Sequence, residues 1–155
     1  MALFALLAVG CAALSYGQGD TMAPDELERG VGNAKTTDTI DGSALTLDAH
    51  IWRNLMPTPD AHVAAVRIVA TLNILGGAHQ NDIVVPRLWA VSSSGKPVEA
   101  SVVRRLMAQG GLRLVATAPL SPDIVVSAWV VAEVRDSTGG RLFIRSPETN
   151  IEKVY

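Results

Sequence analysis

The chain has 155 residues, of which 48% are hydrophobic and 18% are charged, and its formal net charge is −2. This length excludes a large multidomain enzyme, and the hydrophobic content excludes a fully disordered chain. The near-neutral charge argues against a nucleic-acid binder, which shows a clustered basic surface.

An uncharged apolar segment opens the chain, from Ala2 to Leu14. It is too short for a membrane-spanning helix of roughly 20 residues but has the length of the apolar region of a secretory signal peptide. We therefore predict a signal peptide over 1–17 and an exported, periplasmic or cell-surface protein. Ser15 and Gly17 are small residues two positions apart, which favours cleavage between 17 and 18 by a general signal peptidase.

The single cysteine, Cys11, offers a second cleavage site. The run Ala8-Val9-Gly10-Cys11 resembles the lipobox of bacterial lipoproteins, although Ala8 stands where that motif usually has leucine. The resemblance implies cleavage between 10 and 11 and attachment of lipid to Cys11, which would anchor the protein to a membrane. The sequence leaves both sites open.

A polar, acidic segment follows over 18–42. It holds six aspartates or glutamates against two lysines or arginines, so its net charge is −4. Because it contains few bulky apolar residues, we predict a flexible tether. A short helical turn is predicted over 24–29, since proline and acidic residues are tolerated at a helix start.

Residues 43–155 are predicted to form one all-β domain. Apolar and polar residues alternate, as they do in a strand with one buried face. Turns rich in glycine, serine and proline separate the strands. The predicted strands cover 45–52, 66–74, 83–91, 112–117, 124–134 and 141–145. Residues 98–109 fit either a strand or a helix that begins after Pro97 and ends before Gly110.

Six to seven strands without a long helix indicate an antiparallel β-sandwich. In chain order, 83–91 is the third strand, and its Trp89 stands where an immunoglobulin-like fold has its core tryptophan. The pattern over 43–146 therefore resembles an immunoglobulin-like sandwich. The paired cysteines and the corner tyrosine of antibody domains are absent.

His50, Met56 and His62 lie within thirteen residues, and imidazole and thioether groups are ligands that suit copper. The alternative function is therefore a periplasmic or extracytoplasmic copper-binding protein. His79 is excluded from this set, because the strand between it and His62 spans about 35 Å at about 3.3 Å per residue.

Ser93 and Lys96 match the S-x-x-K spacing of serine-lysine enzymes, but they lie in a loop and the companion motifs of those enzymes are absent. We therefore predict no catalytic residue and no cofactor.

Trp52 and Trp129 lie opposite the apolar faces of their strands and are predicted to form an exposed interaction patch. The main prediction is thus a non-catalytic, exported or lipid-anchored β-sandwich module. Its partner is an envelope or secreted protein rather than nucleic acid. The C-terminal residues from Ile151 onward are predicted to fold back on the sheet, and the alternative is that they serve as a strand for a partner.

Overall fold

The computed structural model describes residues 22–55, 65–76, 82–108, 110–119, 124 and 126–155. Across these ranges the chain forms one helix and ten strands. They are α1 Pro24–Gly32, β1 Thr37–Ile40, β2 Ser43–Asn54, β3 Ala65–Leu75, β4 Val84–Ser92, β5 Pro97–Ala108, β6 Gly111–Pro119, β7 Ser127–Arg135, β8 Arg141–Arg145, β9 Thr149–Asn150 and β10 Glu152–Val154. The prediction of an all-β, antiparallel domain is confirmed.

The strands form a continuous sheet in the order β1-β2-β3-β6-β5-β4-β7-β8. Strand β5 joins its two halves, because residues 97–100 pair with β4 whereas 101–108 pair with β6, with an irregularity between Val102 and Arg104. Short strand β9 pairs with β7, and β10 runs parallel to β2. A parallel bridge between Lys35 and Ile144 brings the two ends together, so the sheet is nearly closed.

The main core lies inside this sheet and follows the predicted alternation. In β2, Leu45, Leu47 and Ile51 are buried, while the side chains between them are half-buried or exposed. In β3, alternate residues from Val66 to Ile74 are buried in the same way. Each fully buried leucine or isoleucine contributes roughly 1.5–3 kcal/mol of transfer free energy.

A second apolar cluster lies on the other face of β4, β7 and β8. Its buried members are Val31, Ala34, Trp89, Val91 and Val131, with Leu27, Trp129 and Phe143 packed against them. The helix residues among them recur at helical spacing, so α1 has one apolar face to place on the sheet. Pro24 stands in its first turn, where its missing N–H costs little.

Residues 22–42, predicted as part of a flexible tether, instead fold onto the domain. The predicted helical turn over 24–29 is a nine-residue helix, and 37–40 pair with β2 as strand β1. The tether was predicted because this segment contains few bulky apolar residues overall. This prediction missed that Leu27 and Val31 share one helix face and, with Ala34 just beyond the helix, cover a sheet surface that is itself apolar.

The structure also corrects or resolves other local predictions. Trp89 is buried, as predicted, but in the second cluster, whereas its neighbours Leu88 and Ala90 face the main core. Residues 97–108 form a strand, which settles the choice between strand and helix. The tail folds back as predicted, with Ile151 buried and β10 beside β2. The predicted signal peptide, including Cys11, lies outside the described residues.

Candidate functional site

The predicted metal ligands are described only in part. His50 lies on β2 with its Nε2 3.5 Å from a carboxylate oxygen of Glu152, and its ring centroid is 5.4 Å from that of Trp52. Met56 and His62 lie outside the described residues, as does His79. Within the described part of the chain, no three His, Cys, Asp or Glu side chains cluster closely enough to hold a metal ion. The copper set stays a prediction.

Ser93 and Lys96 are both exposed in the turn between β4 and β5. Gly95 adopts a φ of 78° there, and its N–H donates to the Ser92 carbonyl at 2.9 Å. A glycine with positive φ is what a tight hairpin turn requires. The S-x-x-K spacing is therefore accounted for by turn chemistry.

Trp52 lies on the outward side of β2, in a row of side chains that crosses four strands. Directly opposed residues of an antiparallel pair place their side chains on the same face. Trp52 pairs with Arg67, Arg67 with Thr117, and Thr117 with Ser101. The indole is half-buried among these neighbours, so it is held in place and still reaches solvent.

Two further rows extend this surface, which we call the outer face. In the second row His50 lies opposite Val69, Val69 opposite Val115, and Val115 opposite Arg104. The third row runs from Asp48 to Leu106 across the same four strands. The outer face comprises Asp48, His50 and Trp52 of β2, Arg67, Val69 and Thr71 of β3, Arg113, Val115 and Thr117 of β6, and Ser101, Arg104 and Leu106 of β5.

The outer face combines apolar area with positive charge. Arg67, Arg104 and Arg113 are exposed on it. Two carboxylates lie on or beside it: Asp48 accepts a hydrogen bond from the Asn73 amide at 2.8 Å, and Glu152 of β10 lies next to Trp52, 3.5 Å from His50. Three arginines against Asp48 and Glu152 leave one net positive charge. Leu106 is 44% exposed at the β5 side of the face.

Trp129, predicted for the same patch as Trp52, lies in different surroundings. It is on β7, half-buried against the second apolar cluster, with the Arg145 guanidinium carbon 6.0 Å from its ring centroid. It lines a small cavity of about 150 Å³ beside Thr36 and Pro147. The two tryptophans thus belong to different halves of the sheet and do not form one surface.

A buried carboxylate with three arginines lies further along β7. Glu133 is fully buried, and its oxygens accept hydrogen bonds from the Nε of Arg87 at 2.9 Å and of Arg135 at 2.6 Å. The Nε of Arg141 forms an ion pair with it at 3.2 Å. We call these three arginines the arginine cluster. The Arg87 guanidinium carbon also lies 5.4 Å from the Trp89 ring centroid, in cation–π geometry.

This cluster was not predicted from the sequence. The signal for it was a single acid, Glu133, inside the otherwise apolar run from Val130 to Val134. An acid at such a position is rarely buried without a cationic partner. Arg135 lies two residues along β7 from Glu133, whereas the other two partners come from neighbouring strands. Arg87 pairs with Glu133 across β4 and β7, and Arg141 pairs with Arg135 across β7 and β8.

Beside the cluster, α1 and β8 border an open groove of about 720 Å³. Arg141 lines it, together with Arg29 and Lys35 from the helix side. Arg29 contacts Asp25 at 3.2 Å and Lys35 contacts Asp38 at 3.4 Å, so both of these cations have acidic neighbours.

No family model and no curated protein sequence matches the chain. Among solved structures, it is similar to a DUF4426 family protein from Pseudomonas aeruginosa, with a TM-score of 0.45 and 11% identity over 78% of this chain and 100% of the other. It is also similar to the putative ApaA protein from Bordetella pertussis, with a TM-score of 0.44 and 15% identity over 77% and 97% of the two chains.

Proposed function

We propose that this chain is a non-catalytic module that binds another protein of the cell envelope or of the secreted set through its outer face. The observation that supports this is Trp52, half-buried in a row with Arg67 on an otherwise regular sheet. Tryptophan and arginine are the residues that most often dominate binding energy at protein interfaces. A ring already held by its neighbours also loses little side-chain entropy on binding.

The charge of the outer face favours an acidic partner. Its net positive charge comes from three arginines spread over β3, β5 and β6, so the positive potential extends across the face. Complementary charge raises association rates and selects partners more than it adds affinity. Binding should therefore weaken as salt is added.

The strand order supports the immunoglobulin-like interpretation of the fold. One half of the sheet has the order β2-β3-β6-β5, and the other has β4-β7-β8. When β2 to β8 are lettered A to G in chain order, the two halves have the strand orders A-B-E-D and C-F-G. These are the two sheets of the seven-stranded immunoglobulin arrangement. We propose that the domain is a variant of this fold in which β5 also pairs with β4.

Export belongs to the same proposal. The apolar segment over 2–14 and the lipobox-like run ending at Cys11 support a signal peptide, with release or lipid anchoring as its result. Within the described residues, α1 is too short and too polar to cross a membrane. Intact mass spectrometry of the protein from its native host would distinguish an acylated Cys11 start from a Gln18 start.

The test of function is capture of a partner from an envelope fraction of the host by immobilised protein. The wild type is compared with Trp52→Ala and with Arg67→Gln. The matched controls are Trp129→Ala, in the other half of the sheet, and Arg29→Gln, an exposed arginine of α1.

We expect one partner to be retained by the wild type and by both controls and to be lost with Trp52→Ala. Truncating an interface tryptophan that acts as a hot spot costs about 2 kcal/mol or more, which corresponds to about thirtyfold in Kd. Arg67→Gln should weaken capture less and should reduce its salt dependence. Equal capture by the wild type and Trp52→Ala would contradict the proposal.

A further inference from the structure

We propose that the free edge of β5 binds an extended segment of another protein as an added strand, and that this segment carries two apolar residues beside two acidic ones. Among the described residues, those from Arg104 to Ala108 pair with β6 on one side and with no strand on the other, whereas 97–100 pair with β4. This edge adjoins the outer face but is three strands away from Trp52. Binding at this edge therefore does not require Trp52.

The backbone of this edge carries hydrogen-bonding groups for a further strand. In an antiparallel pair, alternate residues direct both their N–H and their C=O away from the strand they face. The register between 104–108 and β6 is unbroken, because the irregularity of β5 lies between Val102 and Arg104. Five consecutive residues are thus available to pair with an extended main chain, as in recognition by strand addition.

The nearby edge of β4 is not suited to an added strand. Among the described strands, residues 84–87 have no pairing with β5 either. Pro86, however, has no N–H to donate, and the register with β7 shifts between Val84 and Arg87. Proline and irregular register protect a strand edge against pairing. Residues 104–108 contain no proline, so β5 is the edge that can accept a strand.

Exposed apolar side chains on both faces of this edge favour apolar residues in the partner. Leu106 lies on the outer face and is 44% exposed. Met107 lies opposite buried Leu112, so it points to the core side of the sheet, yet it is 60% exposed. An added strand with apolar residues beside Leu106 and Met107 would remove both side chains from water.

Charge favours acidic residues beside them. Arg104 and Arg105 are exposed, and residues 101–108 contain no acid. Neither β4 nor β6 contains an acid, and Glu99 lies on the part of β5 that pairs with β4. Arg105 donates to the Val85 carbonyl at 3.4 Å, which is longer than usual, and a carboxylate would be a stronger acceptor. Pairing with a second copy would instead bring together two arginines from each chain, which like charge disfavours.

The order of these residues predicts the order of the partner's. In an antiparallel arrangement the partner runs from Ala108 towards Arg104, so it first passes Met107 and Leu106 and then Arg105 and Arg104. The segment we expect therefore has two apolar residues followed by two acidic residues.

The experiment titrates the full chain with a labelled peptide of about ten residues, enough to span a strand, centred on Val-Leu-Asp-Glu. Fluorescence anisotropy measures its affinity. One control peptide has lysines in place of the two acids, and another is acidic but methylated on its central backbone nitrogens. We expect saturable binding of the unmodified acidic peptide alone, with slower amide hydrogen exchange within 104–108. Lack of saturation below about 1 mM, or equal binding of either control peptide, would overturn the proposal.

Two variants test the side chains. Arg105→Gln removes a charged donor, so the acidic peptide should bind about tenfold more weakly. Met107→Ser removes apolar contact area at a largely exposed position, so binding should weaken several-fold while stability changes little. Arg29→Gln on α1 is the control and should leave affinity unchanged. Unchanged affinity in either Arg105→Gln or Met107→Ser would refute the site.

Discussion

Gly30 and Gly32 of α1 provide a paired test of how the helix lies on the sheet. A Cβ at position 30 would lie 2.5 Å from Cε2 of Phe143, whereas a Cβ at position 32 would meet no atom within 4 Å. The Phe143 ring also packs against that of Trp89, with centroids 5.9 Å apart, so a shift of Phe143 would disturb this contact. Gly30→Ala therefore overfills the contact between α1 and β8.

Both substitutions gain helix propensity, at most about 1 kcal/mol. Overpacking costs about 1–3 kcal/mol, so after this gain Gly30→Ala should lower the free energy of unfolding by about 1 kcal/mol. Gly32→Ala lies at the end of the helix and should raise that free energy by about 0.5 kcal/mol. Urea unfolding, monitored by tryptophan fluorescence, measures the free energy of unfolding of both variants. Equal stabilisation by the two variants would refute the packing of α1 on Phe143.

Three further predictions concern the cores and one turn. Ile68→Ala in the main core should cost about 3 kcal/mol in urea unfolding, and a loss below about 1 kcal/mol would contradict its burial. Glu133→Gln should also cost about 3 kcal/mol, because three guanidinium groups lose their counter-charge, whereas exposed Glu28→Gln should change stability by less than about 0.5 kcal/mol. Hydrogen bonds from the Thr138 hydroxyl and then from the turn backbone lower the pKa of Asp136 below its ordinary 3.8. The resulting stabilisation is present above that ordinary value and lost as pH falls through the lower folded pKa. An NMR titration placing this pKa at or above 3.8 would contradict it.

Alternation predicted the strands that border the main core, because each of them has one apolar and one polar face. It correctly placed Ile68 and Leu72 inside, and Trp52 lies half-buried on the opposite face. The same rule failed for β7, where both faces are covered. There Val130 faces the main core and Val131 faces the second cluster under α1. Both faces of β7 are therefore apolar, and alternation does not distinguish them.

The second cluster depended on contacts that no single segment reveals. Leu27 and Val31 lie far along the chain from Trp89 and Phe143, and only the docked helix brings them together. The arginine cluster has the same origin, since Arg87 lies 46 residues before Glu133. The sequence showed the apolar residues of α1 and the single acid in the apolar run of β7. Only the pairing of β4, β7 and β8 shows which distant residues contact them.

The central claim, that the outer face binds a partner, can be tested most directly by site-specific photo-crosslinking in the native host. A photoreactive phenylalanine analogue would replace Val69 or Val115 on the outer face, or Glu28 on α1 as the control. Irradiation should yield the same discrete adduct from both outer-face positions and none from position 28. An adduct from position 28 alone, or none from either outer-face position, would contradict the claim.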